Sequence, residues 1–123
     1  MAWDLSSDRP IYTQILEKIQ TRIIAGVYKP GERLPSVREL AAEASVNPNT
    51  MQKAFTELER SGLIQTQRNS GRTVTEDISM IKQIQTQVAL SQVQSFFHTM
   101  MELGFNKEEI LAFVKKAMEE GAE

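Results

Sequence analysis

The chain lacks cysteine altogether and has a single histidine, His98. It therefore cannot form a disulfide framework or a thiolate metal site, and one histidine cannot build a histidine cluster. No N-terminal segment has the apolar core of a signal peptide, and no apolar run approaches the length needed to span a membrane. We therefore expect a cytoplasmic protein that uses no metal or cofactor and has no membrane partner.

A strong positive charge, which many DNA-binding proteins carry, is missing as well. The 123 residues include 14 Lys and Arg and 16 Asp and Glu, which gives a net charge of −2. Residues 1–74 hold 10 basic and 8 acidic residues, whereas residues 75–123 hold 4 basic and 8 acidic residues. Because the acidic excess lies in the C-terminal part, a local basic patch in the N-terminal part remains compatible with DNA binding.

The sequence also lacks a recognisable catalytic set, since no nucleophile, base and acid stand in a known arrangement. Glu57 with Glu59, and Glu108 with Glu109, are most simply interpreted as solvated charges on helices. His98 is interpreted as an exposed or packed side chain. We therefore predict no catalytic residues and no enzyme activity.

What the sequence does contain is a pattern for two short helices joined by a tight turn. Ser36 followed by Glu39 is a capping box for the first helix. Asn47 is a good N-cap for the second, and Pro48 falls at its first position, where the missing N–H costs nothing. Gly62 can end that helix in a left-handed conformation. The apolar positions at helical spacing are Leu40, Ala41 and Ala44, then Met51, Ala54, Phe55 and Leu58. With about three residues between the helices, the pattern predicts a helix-turn-helix.

The opposite face of the second helix is polar. Its outward side chains are Asn49, Gln52, Lys53 and Thr56. Amides and hydroxyls of this kind can read base edges, and a lysine can bind a phosphate. A solvated helix face would have the same composition, so this helix alone leaves both interpretations open.

A β-hairpin is predicted to follow the second helix. Residues 63–68 and 72–74 are compatible with two strands, and Gly71 between them suits a position with positive φ. Arg68 and Arg72 flank the tip, where they can enter a groove or bind a phosphate. The helix-turn-helix and this hairpin together favour a DNA-binding winged helix.

These motifs resemble the winged helix-turn-helix of GntR-superfamily transcription regulators. Residues 34–41 match the signature around the family's second helix, and residues 46–55 and 58–64 are similar to the YtrA subfamily in particular. The resemblance implies DNA-contacting roles for Arg38, Asn49, Thr50 and Gly71. Many GntR proteins carry arginines where this chain has Pro48 and Gln52, so their base-reading rules do not carry over.

The first helix is predicted to precede this region. Asp8 is placed to cap it, with Pro10 in its first turn, and Gly26 can end it. Its apolar stripe consists of Ile11, Ile15, Ile19 and Ile23. Residues 29–32 fit a type II turn, because Pro stands second and Gly third. Arg33, which follows this turn, is a second candidate for phosphate binding whose role stays open.

Two further helices are predicted in the C-terminal part. Thr75 to Met101 contains neither Pro nor Gly and reads as one long helix, and Asn106 with Glu109 forms a capping box for a last helix that ends near Glu120. Their apolar residues exceed what one partner helix can cover, which favours a dimer interface. The predicted dimer residues are Ile81, Ile84, Val88, Val93, Phe96 and Phe97. An effector pocket lined by Phe96, Phe97, Met100 and Met101 is the alternative.

We therefore predict an α+β fold, mainly helical. A winged helix-turn-helix DNA-binding domain at residues 1–75 precedes a two-helix dimerisation module at residues 76–123. The predicted function is sequence-specific binding of double-stranded DNA by a homodimeric regulator, a repressor that binds a palindromic operator. The predicted DNA-binding residues are Arg38, Asn47, Asn49, Thr50, Gln52, Lys53, Arg68, Gly71 and Arg72.

The resemblance further implies control of an adjacent transporter operon, while the identity of any small-molecule effector stays open. Two other functions also stay open. A winged helix can bind proteins through the same helix, which would make the chain a protein-interaction module. The chain can instead be the DNA-binding half of a larger regulator with an enzyme-like domain, as in the MocR branch of the family. The capped helix before Glu123 favours a complete protein.

Overall fold

The computed structural model describes residues 3–69 and 71–121. Within this part of the chain there are five helices and one antiparallel two-stranded hairpin. Their bounds are α1 Ile11–Ile24, α2 Val37–Ala44, α3 Pro48–Ser61, β1 Ile64–Gln67, β2 Gly71–Val74, α4 Ile78–Glu102 and α5 Lys107–Gly121. The predicted α+β class, mainly helical, is confirmed.

The chain divides into two compact units, one ending at Gln85 and the other beginning at Thr86. The N-terminal unit contains α1, α2, α3, the hairpin and the first two turns of α4. It therefore extends past the boundary between residues 75 and 76 that the sequence predicts for the DNA-binding domain. The C-terminal unit contains the rest of α4 and all of α5.

The core of the N-terminal unit is made of apolar side chains from its three short helices and the hairpin. Ile15 and Ile19 on α1 are fully buried, as the predicted stripe requires. Phe55 on α3 has 0% exposure and is among the largest fully buried side chains. Because burying one large apolar side chain contributes about 1.5–3 kcal/mol, these positions fix the packing of α1 against α3.

Local caps define the helix-turn-helix. Ser36 Oγ accepts a hydrogen bond from the Glu39 amide at 3.0 Å, and the Glu39 carboxylate accepts one from the Ser36 amide at 2.8 Å. The C-cap of α2 is Ser45, whose left-handed backbone has a φ of 59°, and the C-cap of α3 is Gly62 with a φ of 88°. The predicted capping box, the short turn and the glycine end of α3 are confirmed.

The start of α1 differs from the prediction. Asp8 is not its cap, because Pro10 occupies the N-cap position and no side chain caps the helix. Buried Gln14 instead binds the preceding segment. Its Nε2 donates to the carbonyls of Ser6 at 2.8 Å and Arg9 at 3.0 Å, and its Oε1 accepts from the Ser6 amide at 2.7 Å. A buried amide is therefore satisfied by backbone groups, as burial of a polar side chain requires.

A third extended segment lies beside the hairpin, which the sequence did not indicate. The amide of Leu34 donates to the carbonyl of Arg72 at 2.8 Å, and the amide of Val74 donates to the carbonyl of Glu32 at 2.9 Å. The predicted type II turn at residues 29–32 leads into this segment. It is confirmed by its closing hydrogen bond of 2.9 Å and by a φ of 78° at its third residue.

Arg22 in the last turn of α1 contacts aromatic and acidic side chains from other parts of the N-terminal unit. Its Nη2 lies 2.7 Å from a carboxylate oxygen of Glu43 on α2, and its Nη1 lies 2.7 Å from the hydroxyl oxygen of Tyr28. Trp3 Nε1 donates to the same carboxylate at 2.7 Å, and the guanidinium lies 4.8 Å from the centre of the Trp3 ring. The hydrogen bonds from Arg22 and then Trp3 hold the pKa of Glu43 below its ordinary value.

The first turns of α4 belong to the N-terminal unit. Ile81 and Ile84 are half-buried and pack against its core. Gln85 Nε2 donates a hydrogen bond of 3.1 Å to the carbonyl of Ile24 at the end of α1. Because the last carbonyls of a helix have no partner within it, this bond satisfies one of them.

In the C-terminal unit, Asn106 and Glu109 form the predicted capping box, with distances of 3.0 Å and 2.9 Å for its two hydrogen bonds. Phe105 and Phe113 meet edge to face with ring centres 4.8 Å apart, and Ile110 is buried. Of the helices in the described residues, none is long and apolar enough to cross a membrane.

Candidate nucleic-acid interface

Helix α3 has one face in the core and the opposite face in solvent. The inward side chains have 0–1% exposure and are Met51, Ala54, Phe55 and Leu58. The outward side chains are exposed and are Asn49, Gln52, Lys53 and Thr56. Because the inward face is anchored over most of the helix, the outward face is a fixed surface of amides, a hydroxyl and an ammonium. Such groups can bind base edges and phosphates.

The two asparagines at the start of α3 have different environments. Asn47 Oδ1 accepts a hydrogen bond from the Asn49 amide at 2.7 Å, so the Asn47 side chain is the N-cap. The Asn49 side chain itself is exposed. Thr50 is half-buried, and its amide donates to the Asn47 carbonyl at 3.0 Å. Asn49 is therefore accessible to a base, whereas Asn47 already has a role in the fold.

Lys53 has a neighbour on another helix. Its Nζ lies 4.0 Å from the centre of the Tyr12 ring on α1. An exposed cation–π contact is worth about 0.5–1 kcal/mol, which biases the ammonium position but leaves it able to meet a phosphate. Gln52 is also restrained, because its Nε2 lies 3.3 Å from the hydroxyl of Thr56 one turn further on.

The hairpin forms the predicted wing. Gly71 has a φ of 73°, a left-handed conformation that favours glycine. Arg68 is exposed just beyond β1, and Arg33 approaches the wing from the segment beside β2. A methyl group added to Gly71 would lie 3.6 Å from Arg33 Nε. Ser70, in the middle of the predicted tip, lies outside the described residues.

Arg72 has a partner within the fold. Its Nε lies 3.0 Å from Oε1 of Glu59 in the last turn of α3, and its guanidinium carbon lies 5.2 Å from the centre of the Phe55 ring. The hydroxyl of Thr66 donates to the other oxygen of the same carboxylate. These contacts, from Thr66 and then Arg72, hold the pKa of Glu59 below its ordinary value. A phosphate contact by Arg72 stays a prediction.

The interpretation of Glu59 as a solvated charge is wrong. Its side chain is 30% exposed and binds both strands of the wing. By contrast, Glu57 pairs at 2.7 Å with Arg60 on the same helix. The sequence held one indication of the difference, since an acidic residue in the last turn of a helix is disfavoured by the helix dipole.

Five exposed cations lie on the helix-turn-helix, the wing and the segment beside β2. Arg60 pairs with Glu57, and the other four are Arg33, Arg38, Lys53 and Arg68. Arg38 stands in the first turn of α2, where the sequence predicts a phosphate contact. In residues 3–69 and 71–121, no three His, Cys, Asp or Glu side chains are grouped so that they could hold a metal ion. The surface has the chemistry for binding a polyanion.

Comparison with known families agrees with this geometry. Residues 11–74, from the start of α1 to the end of the wing, match the family described as bacterial regulatory proteins, gntR family. The chain belongs to the GntR family. The matched residues include α3, the wing and the segment that pairs with β2, so the surface described above is part of the family's common domain.

Two relatives of this GntR protein are regulators of Bacillus subtilis. YhcF, named an uncharacterized HTH-type transcriptional regulator, is 37% identical over 115 residues, which cover 94% of this chain and 95% of YhcF. YtrA, named an HTH-type transcriptional repressor, is 47% identical over 74 residues, which cover 60% of this chain and 57% of YtrA. The predicted resemblance to YtrA-like GntR regulators is confirmed.

Solved structures are similar as well. A GntR family transcriptional regulator from Listeria monocytogenes has a TM-score of 0.85 and 44% identity, over 91% of this chain and 98% of that one. The AraR DNA-binding domain in complex with operator ORX1 has a TM-score of 0.53 and 29% identity, over 61% of this chain and 92% of that one. GntR proteins are DNA-binding transcription regulators and not enzymes, as predicted for this chain.

The predicted dimer residues of this GntR protein lie in two settings. Ile81 and Ile84 contact the core of the N-terminal unit. Beyond Gln85, Val88 and Phe97 are half-buried, whereas Val93 and Phe96 are exposed. No side chain of α4, whose residues are all among those described, is buried.

Proposed function

We propose that this GntR protein is a cytoplasmic, homodimeric repressor that binds an inverted-repeat operator. The observation that carries the proposal is the exposed polar face of α3, opposite a face with 0–1% exposure. A helix held in this way can enter the major groove with its N-terminal residues at base edges. Asn49 and Gln52 supply the amides on this face, and an Asn or Gln amide pairs best with adenine.

The cations around α3 supply the second part of the mechanism. Arg38 and Lys53 are exposed cations that can bind phosphates beside the groove, and Arg33 and Arg68 add positive charge on and next to the wing. Contacts of this type fix the register of the protein on the duplex and make binding depend steeply on salt. The wing then approaches the neighbouring minor groove or the backbone.

The homodimer is supported by the apolar surface of the C-terminal unit. Leu90, Val93 and Phe96 on α4 have exposures of 57%, 59% and 44%. The same unit has an open apolar cavity of about 770 Å³, whose lining includes Phe96, Met100 and Phe113. Contiguous apolar surface of this kind usually marks an interface. A two-fold dimer presents two α3 helices to half-sites about 34–36 Å apart.

Repression is favoured by the similarity to YtrA, which is named a repressor and is 47% identical over 74 residues. A dimer bound over a promoter excludes RNA polymerase, so this mechanism needs no further activity. The YtrA resemblance also makes an operon for a neighbouring transporter the first target to test.

The test begins with selection of bound fragments from sheared genomic DNA, followed by sequencing. We expect an enriched inverted repeat upstream of a small number of operons. A duplex with one half-site scrambled should bind roughly 10²–10⁴-fold more weakly than the intact repeat, because the two half-sites are linked through the dimer. Adding the protein to transcription in vitro should lower transcript yield from the selected promoter. Absence of any enriched sequence would favour the protein-interaction module instead.

A further inference from the structure

Glu59 joins the last turn of α3 to both strands of the wing. Its Oε1 lies 3.0 Å from Arg72 Nε on β2, and its Oε2 accepts the hydroxyl of Thr66 on β1. Thr66 and Arg72 are direct partners in the antiparallel register. One carboxylate therefore holds a cross-strand pair of the wing against the helix that carries the base-reading face.

The position of Glu59 is unfavourable for the stability of α3 itself. The last turn of a helix carries a partial negative charge, which disfavours a carboxylate there. The basic residue that suits this turn is also present, since α3 has Arg60 in its last turn. The hydrogen bonds of Glu59 with Arg72 and Thr66 offset this unfavourable position. Glu59 therefore stabilises the packing of the wing on α3 and not the α3 helix itself.

The partner of Glu59 is fixed on its other side as well. The guanidinium carbon of Arg72 lies 5.2 Å from the ring centre of Phe55, which has 0% exposure. The Arg72 side chain is 25% exposed. Arg72 thus lies between Phe55 and Glu59, and its contacts with both connect β2 to α3.

We infer that Glu59 is a positioning residue for DNA recognition. It fixes the wing relative to α3, so that the helix and the wing reach one half-site at the same time. This inference rests on the proposed contacts of α3 and the wing with DNA. It adds a residue that touches no DNA yet contributes to sequence discrimination.

The inference predicts an effect of opposite sign to simple electrostatics. Removal of a carboxylate makes the surface more positive and releases Arg72, which should strengthen binding to any DNA sequence. A loosened wing, in contrast, weakens binding only where both elements must fit, which is at the selected sequence. The ratio of the two affinities separates the two effects.

The experiment uses the full chain and a duplex that the unmodified protein selects from a random-sequence library, with a scrambled duplex of equal length as reference. The variants are Glu59→Ala and Glu59→Gln. Glu57→Ala is the matched control, because it removes the same charge from the same helix. Within the described residues, the ion pair of Glu57 is with Arg60 on that helix, at 2.7 Å, and not with the wing. Affinities for both duplexes and hydroxyl-radical footprints are measured for each protein.

For Glu59→Ala we expect the ratio of selected to scrambled affinity to fall about tenfold, comparable to one mismatched base pair. Footprint positions on the wing side should lose protection, while those at the α3 groove should keep it. Glu59→Gln should restore most of the ratio, because its amide oxygen can accept from Arg72 and its amide NH₂ can donate to Thr66. Glu57→Ala should keep both the ratio and the footprint.

An unchanged ratio and footprint in Glu59→Ala would overturn the inference. So would equal losses in Glu59→Gln and Glu59→Ala, which would assign the effect to charge, or an equal loss in Glu57→Ala. If Glu59→Ala does not fold, Thr66→Val decides, since it removes one of the two wing contacts at an exposed position and should lower the ratio partially. If the unmodified protein gives no wing-side protection, the proposed wing contact itself fails and the inference falls with it.

Discussion

Exchange of the two asparagines at the start of α3 for alanine should separate folding from recognition. Asn47 Oδ1 accepts the Asn49 amide at 2.7 Å, and the Asn47 backbone has the extended conformation of an N-cap, with φ of −64° and ψ of 134°. Loss of an Asn N-cap costs about 0.5–2 kcal/mol, typically about 1 kcal/mol. For a unit of this size, 1 kcal/mol lowers Tm by about 4–8 °C. Asn47→Ala should therefore destabilise the N-terminal unit by this amount.

Asn49→Ala should weaken operator binding without destabilising the fold. The Asn49 side chain is exposed and has no hydrogen bond among those of the described residues, and alanine is the better helix former. We expect Tm to stay the same or rise slightly. Loss of a bidentate contact to a base costs about 1–3 kcal/mol of discrimination, so affinity for the selected operator should fall roughly 5- to 150-fold. Affinity for a scrambled duplex should change little, because that binding depends on phosphates.

The two variants are compared by thermal unfolding in circular dichroism and by titration of selected and scrambled duplexes, at one fixed salt concentration and below the Tm of both. An unchanged Tm in Asn47→Ala, together with weaker operator binding, would mean that Asn47 contacts DNA and that its capping bond is dispensable. Equal losses on both duplexes in Asn49→Ala would make Asn49 a positioning residue and refute direct base readout.

Three further outcomes are expected. Arg38→Ala should flatten the slope of log affinity against log salt by roughly 0.9, the effect of one lost phosphate contact, and an unaltered slope would remove Arg38 from the interface. Val93→Glu should give a monomer in analytical ultracentrifugation, whereas Val27→Glu, a change at a valine of matching exposure (60% against 59%), should leave the dimer intact. The same oligomeric state in Val93→Glu and Val27→Glu would contradict the proposed interface. Because Glu43 and Glu59 have pKa values below their ordinary value in the folded state, the unfolded chain binds protons first as pH falls. The unfolding free energy, measured with urea, should keep the whole contribution of these two carboxylates above about pH 5 and decline as pH drops below about 4.3. Glu43→Gln should make that decline smaller.

The parts of the fold that the sequence predicts are those fixed within a few residues. Ser36 and Glu39 cap each other across one turn, and Asn47 with Pro48 starts α3 in the same local way. Gly62 ends α3 because a left-handed residue is needed there and glycine adopts it without a steric penalty. The inward and outward faces of α3 follow from a helical period of 3.6 residues. The exposed polar face of α3 could therefore be predicted from sequence alone.

The contacts that the sequence does not predict join residues far apart in the chain. Nothing near Glu59 in sequence indicates that Arg72 and Thr66 will meet it, and nothing near Lys53 indicates Tyr12. Ile81 and Ile84 have the apolar character of interface residues, yet they lie half-buried on the core of the N-terminal unit. Apolar spacing shows that a face is covered but not by which partner, so the packing of Ile81 and Ile84 on this core could not be predicted from the sequence.

The extended segment beside β2 affects the order in which parts of the protein fold and unfold. Its bond from Leu34 to Arg72 closes a loop that contains α2, α3 and β1, whereas the β1–β2 hairpin joins near neighbours in the chain. The hairpin can form quickly by itself. The extended segment can pair with β2 only after the long loop has closed, and closing a long loop is slower because it costs more chain entropy. The wing and the helix-turn-helix are therefore expected to unfold as one cooperative group, so that slow amide exchange extends from α3 into β2.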